Sequence, residues 1–562
     1  MSIKVSKKAG FCFGVRKALE ETLYLKYKGK EKLCTLGPLI HNPQVLEILK
    51  KLNIENIKLE ELKPNQTVVI RAHGVSPDIL KKLKEKNCEI INCTCSIVGK
   101  VQAQAKKAKN EEKTVIIVGD KEHAEVKGII GYAGEKSICL STKEEAKNLK
   151  LNGKAVILAQ TTFSEELYEE ISNIIKENNP EVEIFQTICD EISQRQSEAR
   201  EMAKEVDAMV VVGGSFSANT KRLKEIIEEK GIPAYLVEEE KDLKDELKKY
   251  KRIGVTAGAS TPNWLINRVV ESLIGMRAVG IWKLLWKTLA YLSRSNFLIF
   301  LSILSLIYII SNLLKLNIPT LAFFIAPMFL FSFHTLNTFS EKRAQEINEP
   351  AQQIFIEKNK NWLKTISFFF LAFSITFSFI YSIYAGIFLF FASLLGILYL
   401  IPSPLLKIPC SKDIFTGSAW AILSTWFYQI ISNDFKIIKT AIFLSFFFLV
   451  FLCRAIIYDL KDLQGDRMVG KETIPIYFGL KKSIILFNLS LFLCILILFL
   501  GYLLKVLNNM PLFWLFFPLH SIFYYKLFMK KVIPGGVRFN LYIDGFYPIL
   551  AISLFFFKLI FY

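Results

Sequence analysis

From about Phe297 to its end the chain is a succession of apolar stretches rich in Phe, Leu and Ile. Up to about Gly275, by contrast, charged residues recur and no run is long enough to span a bilayer. Nine candidate spans stand out: 296–314, 318–338, 364–383, 385–402, 414–432, 437–457, 483–504, 511–528 and 541–561. Each approaches the ~20 apolar residues that a transmembrane helix needs. A buried soluble helix could account for one such stretch, but nine in series predict an all-α membrane domain of nine helices. The 562 residues are thus expected to form a soluble domain over 1–277, a linker over 278–295 and a membrane domain over 296–562. The N-terminus, Met1-Ser2-Ile3-Lys4-Val5, is polar and strand-like rather than a signal peptide.

Loop charge predicts the orientation. With the soluble part in the cytoplasm, the inner loops carry fifteen Lys and Arg residues, among them Arg343, Lys412, Arg454, Lys471 and Lys530. The outer loops carry four, Lys315, Lys436, Lys439 and Lys505. That is the positive-inside pattern, and it predicts an integral protein of the inner or plasma membrane. In the cytoplasm thiols stay reduced, so the ten cysteines are expected to be ligands or core residues. The join Trp282-Lys283-Leu284-Leu285-Trp286-Lys287 suits either the membrane interface or a simple packing helix. Anionic lipid accounts for much of the net charge of +19, and nothing demands a nucleic acid.

Three cysteines of the soluble part lie far apart, each in a Gly- or Thr-rich turn: Gly10-Phe11-Cys12-Phe13-Gly14, Asn92-Cys93-Thr94-Cys95-Ser96 and Thr187-Ile188-Cys189-Asp190. Three thiolates can hold a [4Fe–4S] cluster and leave its fourth iron open to a substrate. Three unrelated buried thiols are the alternative, since free Cys is a common core residue.

The surroundings favour a site. Short, mostly β-branched runs at 67–71, 114–118, 155–159, 208–212 and 252–255 alternate with helical stretches, which predicts an α/β fold with parallel sheets. Ligands of such folds gather beyond the carboxyl ends of the strands. Those ends carry Ala72-His73-Gly74, Asp120-Lys121-Glu122-His123-Ala124-Glu125, Gln160-Thr161-Thr162, Ser215-Phe216-Ser217-Ala218-Asn219 and Gly258-Ala259-Ser260. Hydroxyls, an amide and histidines beside helix N-termini suit a diphosphate. His41, His73 and His123 all lie in such turns.

Taken in order, these residues resemble 4-hydroxy-3-methylbut-2-enyl diphosphate reductase, the LytB/IspH family of the non-mevalonate isoprenoid pathway. The motifs that carry the resemblance span nearly all of 1–275: Gly10-Phe11-Cys12, His41-Asn42-Pro43, Arg71-Ala72-His73-Gly74, Thr94-Cys95, His123-Ala124-Glu125, Gln160-Thr161-Thr162, Thr187-Ile188-Cys189, Ser217-Ala218-Asn219 and Ala257-Gly258-Ala259-Ser260. The resemblance implies an α/β trefoil of three units around a central iron–sulfur cluster held by Cys12, Cys95 and Cys189. The spacings 95−12 = 83 and 189−95 = 94 are each about one small unit. It implies that His41, His73, Ser217, Asn219 and Ser260 hold the diphosphate with help from His123, Ala218 lying among them. Glu125 would be the proton source, and Thr161 would orient the substrate hydroxyl. The reaction would remove that hydroxyl with two electrons from a ferredoxin- or flavodoxin-type donor and two protons, giving isopentenyl and dimethylallyl diphosphates.

Two departures stand out. Ala218 replaces a second serine, a loss of ~1.5–3 kcal/mol if that hydroxyl bonds a charged group. After the third cysteine, Asp190-Glu191-Ile192-Ser193 replaces an expected Ala-Thr pair. Cys93 is expected to be structural.

The membrane part carries Arg454-Ala455-Ile456-Ile457-Tyr458-Asp459-Leu460-Lys461-Asp462-Leu463-Gln464-Gly465-Asp466 at the inner end of its sixth span. Asp459, Asp462 and Asp466 share one helical face, as hard carboxylates for Mg²⁺ would. A solvated charged loop is the alternative. The run is similar to the second Asp-rich motif of the UbiA prenyltransferase superfamily, over 285–562. The resemblance implies a first motif at Asn337-Thr338-Phe339-Ser340-Glu341, Gln345 and Asn348-Glu349-Pro350, where two carboxylates are missing and one is Glu. Asn337 and Glu341 would complete the Mg²⁺ site, and Tyr399, Pro402, Lys412 and Asp413 resemble the loop after the fourth span. The chain is therefore expected to be a reductase fused to a domain that transfers a prenyl group from a prenyl diphosphate. The competing readings are an anchor or binding module for the membrane part, and an iron–sulfur sensor for the soluble part.

Overall fold

In the computed structural model, residues 2–151, 153–400, 410–506, 511–532 and 535–561 are described. They form two compact units, Met1–Val270 and Glu271–Tyr562, so the division falls inside the helix Asn263–Arg277.

The first unit holds three separate four-stranded sheets, all parallel. The first sheet runs Glu55–Ile57, Leu33–Leu36, Thr67–Ile70, Glu89–Asn92; the second runs Ser137–Leu140, Thr114–Val118, Ala155–Ala159, Glu183–Ile184. The third runs Ala234–Val237, Ala208–Val212, Arg252–Ala257, Ser2–Val5. In the third sheet, the N-terminal strand fills the edge position that a fourth consecutive strand fills in the other two. Inner strands such as Thr67–Ile70, Ala155–Ala159 and Ala208–Val212 are buried at every position, as parallel sheets covered on both faces require.

The three sheets repeat the same hydrogen bonds. After each first strand a glycine N–H (Gly37, Gly119, Gly213) donates to the last carbonyl of the neighbouring edge strand (Ile57, Leu140, Val237) at 2.9, 2.9 and 3.0 Å. After each third strand the second loop residue, Ala72, Thr161 or Ala259, accepts from a cysteine N–H. The donors are Cys95 at 2.9 Å, Cys189 at 3.0 Å and Cys12 at 3.0 Å. Each of those cysteines follows the fourth strand of one sheet and starts a helix.

The second unit is helical. Among the described residues seven helices are long and apolar enough to cross a membrane: Phe297–Leu314, Thr320–Ser340, Lys360–Tyr381, Ile383–Leu400, Ile437–Val469, Leu480–Leu503 and Gly536–Ile560. Buried aromatics, among them Phe443, Phe446, Phe447, Trp514 and Phe517, form its core. Only 28% of the apolar window of Lys360–Tyr381 and of Ile383–Leu400 is buried, so faces carrying Phe368, Phe369, Phe390 and Phe391 are left for lipid.

Of the nine expected spans, seven are met by these helices among the described residues, and the other two are present in shorter pieces. The stretch 414–432 is broken at Thr425 (φ −122°, ψ −75°) into Ser411–Ser424 and Trp426–Ile431. The stretch 511–528 begins with a 3₁₀ turn, Pro511–Leu515, before Phe516–Met529. Pro402 lies outside the described residues.

Candidate functional site

Cys12, Cys95 and Cys189 cap the helices Phe13–Tyr27, Ser96–Asn110 and Asp190–Ala203. The N-terminal end of a helix carries partial positive charge and favours a thiolate. Gly14 is needed here, because a Cβ on it would stand 3.0 Å from the Cys95 sulfur. All three cysteines line one cavity, and every other residue expected at the site lines it too: His41, His73, His123, Glu125, Thr161, Ser217, Ala218, Asn219 and Ser260. Burial raises the Cys12 and Cys189 thiols above the usual range. Cys93 points elsewhere; it is buried and its thiol is pushed up to about 11, as expected of an inert core cysteine.

The three imidazoles form one cluster, with ring centroids 5.2 Å apart for His41–His73 and 5.4 Å for His73–His123. Burial, with Arg71 adding repulsion, lowers the pKa of His41 and lowers that of His73 further. Burial takes His123 down to about 4. The free site therefore presents neutral rings. His123 caps the helix Ala124–Ala133, where its Nδ1 accepts from Glu125 N–H at 3.3 Å. Ser217 caps Ala218–Glu228, and Ser260 donates to the His41 carbonyl at 3.1 Å. Several buried polar atoms at the cavity lack any hydrogen-bond partner: His73 Nδ1 and both Nδ2 and Oδ1 of Asn219. Orphaned donors and acceptors around a cavity are what a polyanionic ligand would satisfy.

Glu125 is 1% exposed. Its Oε1 accepts from Thr161 N–H at 2.7 Å and its Oε2 from the Thr161 hydroxyl at 3.0 Å. Burial raises its carboxyl to about 7 although both bonds pull the other way. A carboxyl that keeps its proton near neutrality, beside thiols and imidazoles, is equipped as a general acid.

Sequence reasoning missed Arg195. It is 1% exposed and donates to the carbonyls of Ala257 at 2.8 Å and Gly10 at 2.9 Å. Its only sequence signal was an arginine, one of two with Arg200, in a polar helix that begins at a cysteine turn.

In the second unit Asp459, Asp462 and Asp466 lie on one helix, Ile437–Val469, as their spacing predicts, and not in a solvated loop. The polar residues are paired within the protein, and the backbone has no need to unwind. Asp466 accepts from Asn348 at 2.9 Å and pairs with Lys471 at 3.4 Å. Asp462 pairs with Lys461 at 3.3 Å, and Asp459 lies beside Asp413 with its Oδ2 buried and unpartnered. Gly465 lets the helix close on Asn348, whose side chain a Cβ would meet. Glu341 is clamped by Lys412 and by Lys471, the latter at 2.7 Å. Burial alone would raise its carboxyl, yet the two ammonium groups hold it below the usual range. Asn337 lies one turn before Glu341, whose N–H donates to the Asn337 carbonyl at 2.9 Å. Among the described residues no three His, Cys, Asp or Glu side chains are gathered as the ligands of a single metal ion.

The family model described as LytB protein matches residues 3–274, and the model of the UbiA prenyltransferase family matches residues 358–534. A 4-hydroxy-3-methylbut-2-enyl diphosphate reductase of Nitratiruptor sp. is 41% identical over 276 residues, covering 49% of this chain and 98% of the relative. A solved reductase from Plasmodium falciparum is 28% identical, covering 48% of this chain and 87% of its own, with a TM-score of 0.47. A UbiA homologue from Archaeoglobus fulgidus, solved with DMAPP and Mg²⁺, is 13% identical, covering 47% of this chain and 98% of its own, with a TM-score of 0.35. With the thiol, histidine and carboxyl cavity wholly inside the matched stretch, the chain belongs to the LytB family of 4-hydroxy-3-methylbut-2-enyl diphosphate reductases, and its residues 358–534 are similar to the UbiA prenyltransferase family.

Proposed function

We propose that the first unit reduces 4-hydroxy-3-methylbut-2-enyl diphosphate to isopentenyl and dimethylallyl diphosphates, removing the hydroxyl as water with two electrons and two protons. The observation that carries this reading is Glu125, a buried carboxyl protonated near neutrality that shares one cavity with three helix-capping thiols and three neutral imidazoles. Cys12, Cys95 and Cys189 would hold a [4Fe–4S] cluster, three thiols around one cavity being a suitable donor set. Such a cluster supplies electrons and a Lewis-acidic iron for the leaving hydroxyl.

The protein's own groups do the rest. His41, His73, Ser217, Asn219 and Ser260 bind the diphosphate, and the orphaned atoms of His73 and Asn219 gain partners when it arrives. Thr161, already bonded to Glu125, turns its hydroxyl to the substrate alcohol, and Glu125 delivers the proton. His123 fixes the start of the Glu125 helix. The donor is an external one-electron carrier of the ferredoxin or flavodoxin type. A non-catalytic sensor would have no use for a proton held at Glu125. The test is anaerobic purification, iron and sulfide analysis, and turnover with a chemically reduced viologen. A cluster-loaded protein that leaves the substrate untouched would refute the reading.

For the second unit we propose binding of a prenyl diphosphate and transfer of its prenyl group, with Asp459 and Asp462 holding Mg²⁺, Asp466 supporting them, and Asn337 and Glu341 on the facing side. The Lys412–Glu341–Lys471 clamp favours a second reading, a binding module or anchor that receives the diphosphate on lysines instead of a full metal set. The loop charges favour the first unit facing the cytoplasm. The helix Gly280–Arg294, with Ile281, Trp282, Leu284 and Leu285 exposed beside Lys283 and Lys287, suits the membrane interface.

A further inference from the structure

The turn that carries Cys12 is fastened from the helix that carries Cys189. Glu191, two residues after Cys189, reaches across, and its Oε2 accepts from the N–H of Phe13, the residue next to Cys12, at 3.0 Å. One turn further along the same helix, Arg195 donates to the carbonyl of Gly10, two residues before Cys12, at 2.9 Å. Its other terminal nitrogen donates to Ala257, the last residue of a central strand, at 2.8 Å. Glu191 and Arg195 stand 3.9 Å apart. The Cys12 turn is thus gripped on both sides of its thiol, and Gly10 can take part because it adopts φ +115°, where a side chain would be strained. The two charges differ in setting: Arg195 is sealed at 1% exposure, whereas the Glu191 side chain keeps 34%.

The two residues also act electrostatically on the thiols. Both charges are held close to the thiols: Glu191 is bonded to the residue next to Cys12 and lies two residues from Cys189, and Arg195 is bonded to the residue two before Cys12. A negative charge that disfavours thiolates also disfavours adding an electron to a thiolate-bound centre, and a buried cation does the reverse.

We propose that Glu191 and Arg195 form a clip that positions the Cys12 turn against the Cys189 helix and sets the reduction potential of the cluster, with Glu191 holding that potential down. This rests on the reductase reading above.

The test uses the full chain, purified anaerobically with its cluster, and reads the midpoint potential by EPR-monitored titration and the rate of iron loss to a chelator. Glu191→Gln keeps an oxygen to accept from Phe13 N–H but loses the charge. It should retain iron at the wild-type rate and titrate at a more positive potential. Glu191→Ala should show the positive shift and also lose iron severalfold faster. Arg195→Lys keeps the charge but cannot span both carbonyls, so its potential should stay near wild type while iron loss accelerates. An unchanged potential in Glu191→Gln, or wild-type iron retention in both Glu191→Ala and Arg195→Lys, would overturn the proposal. If the wild-type chain assembles no cluster, it is the reductase reading that fails.

Discussion

Replacing Glu125 by Gln changes one proton and almost no shape. Burial raises the carboxyl from 4.5 to about 7 against the two bonds from Thr161. At that value about half the molecules carry the proton at pH 7 and about a tenth at pH 8. Wild-type turnover, read anaerobically with a viologen donor, should therefore fall about tenfold per pH unit above neutrality. The shift is also a folding free energy. A rise of about 2.5 units, at ~1.36 kcal/mol each, makes the ionised form cost about 3 kcal/mol. Because the folded value is raised, that stability is fully present below the unfolded value of 4.5 and is lost as pH climbs through about 7. Glu125→Gln cannot ionise, so it should lack this loss. Relative to wild type it should gain about 3 kcal/mol between acid and alkaline melts in detergent.

The catalytic arm is larger. Removing a general acid costs ~10²–10⁴ in rate, and Gln still accepts from Thr161 N–H, so the cluster and substrate affinity should survive. Turnover within tenfold of wild type would refute the role of Glu125. So would an alkaline limb near pH 7 that persists in the residual activity of the variant.

Cys95→Ser should abolish the cluster while Cys93→Ser retains it, as iron and sulfide analysis would show, because of these two residues Cys95 lines the cavity and Cys93 does not. His41→Ala should weaken diphosphate affinity with a smaller effect on kcat, measured by substrate titration. Asp459→Asn combined with Asp462→Asn should eliminate any magnesium-dependent binding of a prenyl diphosphate to the full chain in detergent. Glu341→Gln separates the two readings of the second unit: prenyl diphosphate binding should weaken if Glu341 faces Mg²⁺, and should tighten and depend less on magnesium if Lys412 and Lys471, freed of their anionic partner, receive the diphosphate.

The legible parts of the chain were those whose signal is local. The inner strands at 114–118, 155–159 and 208–212 read directly, being β-branched runs buried on both faces. Edge strands such as Glu55–Ile57 and Glu183–Ile184 did not, since two or three mostly exposed residues leave no periodicity. The site residues were legible through their motifs. What joins them was not, because it depends on contacts between residues far apart in sequence. Glu191 meets Phe13 across 178 positions and Arg195 meets Gly10 across 185. The membrane unit shows the same limit. Three aspartates at helical spacing announced a shared face, but Lys412, Lys471 and Asn348, which neutralise or occupy its neighbourhood, come from three other segments.

The repeated sheets explain how one acid comes to stand alone in a nearly threefold site. Each repeat sends a cysteine in from its fourth strand and a helix in after its first strand, capped by Asn42, His123 or Ser217. Two residues past those caps lie Gln44, Glu125 and Asn219. Gln44 turns away to Glu238 and Glu239, whereas Glu125 and Asn219 line the cavity. The same backbone position thus presents a carboxyl to the cavity in one repeat and a neutral amide in another. Only Glu125 has a threonine from its own sheet to fix both carboxyl oxygens. On the proposed function, proton delivery would therefore be confined to the second repeat, and the first and third would be left to hold the anion. Exchanging the pair, with Glu125→Asn and Asn219→Glu together, should not restore reduction even with the cluster loaded. A carboxylate placed at 219 would sit among the diphosphate-binding groups, where it repels the substrate it should protonate. Recovery of turnover by that double variant would show that the threefold frame, and not the local pairing with Thr161, decides where the acid works.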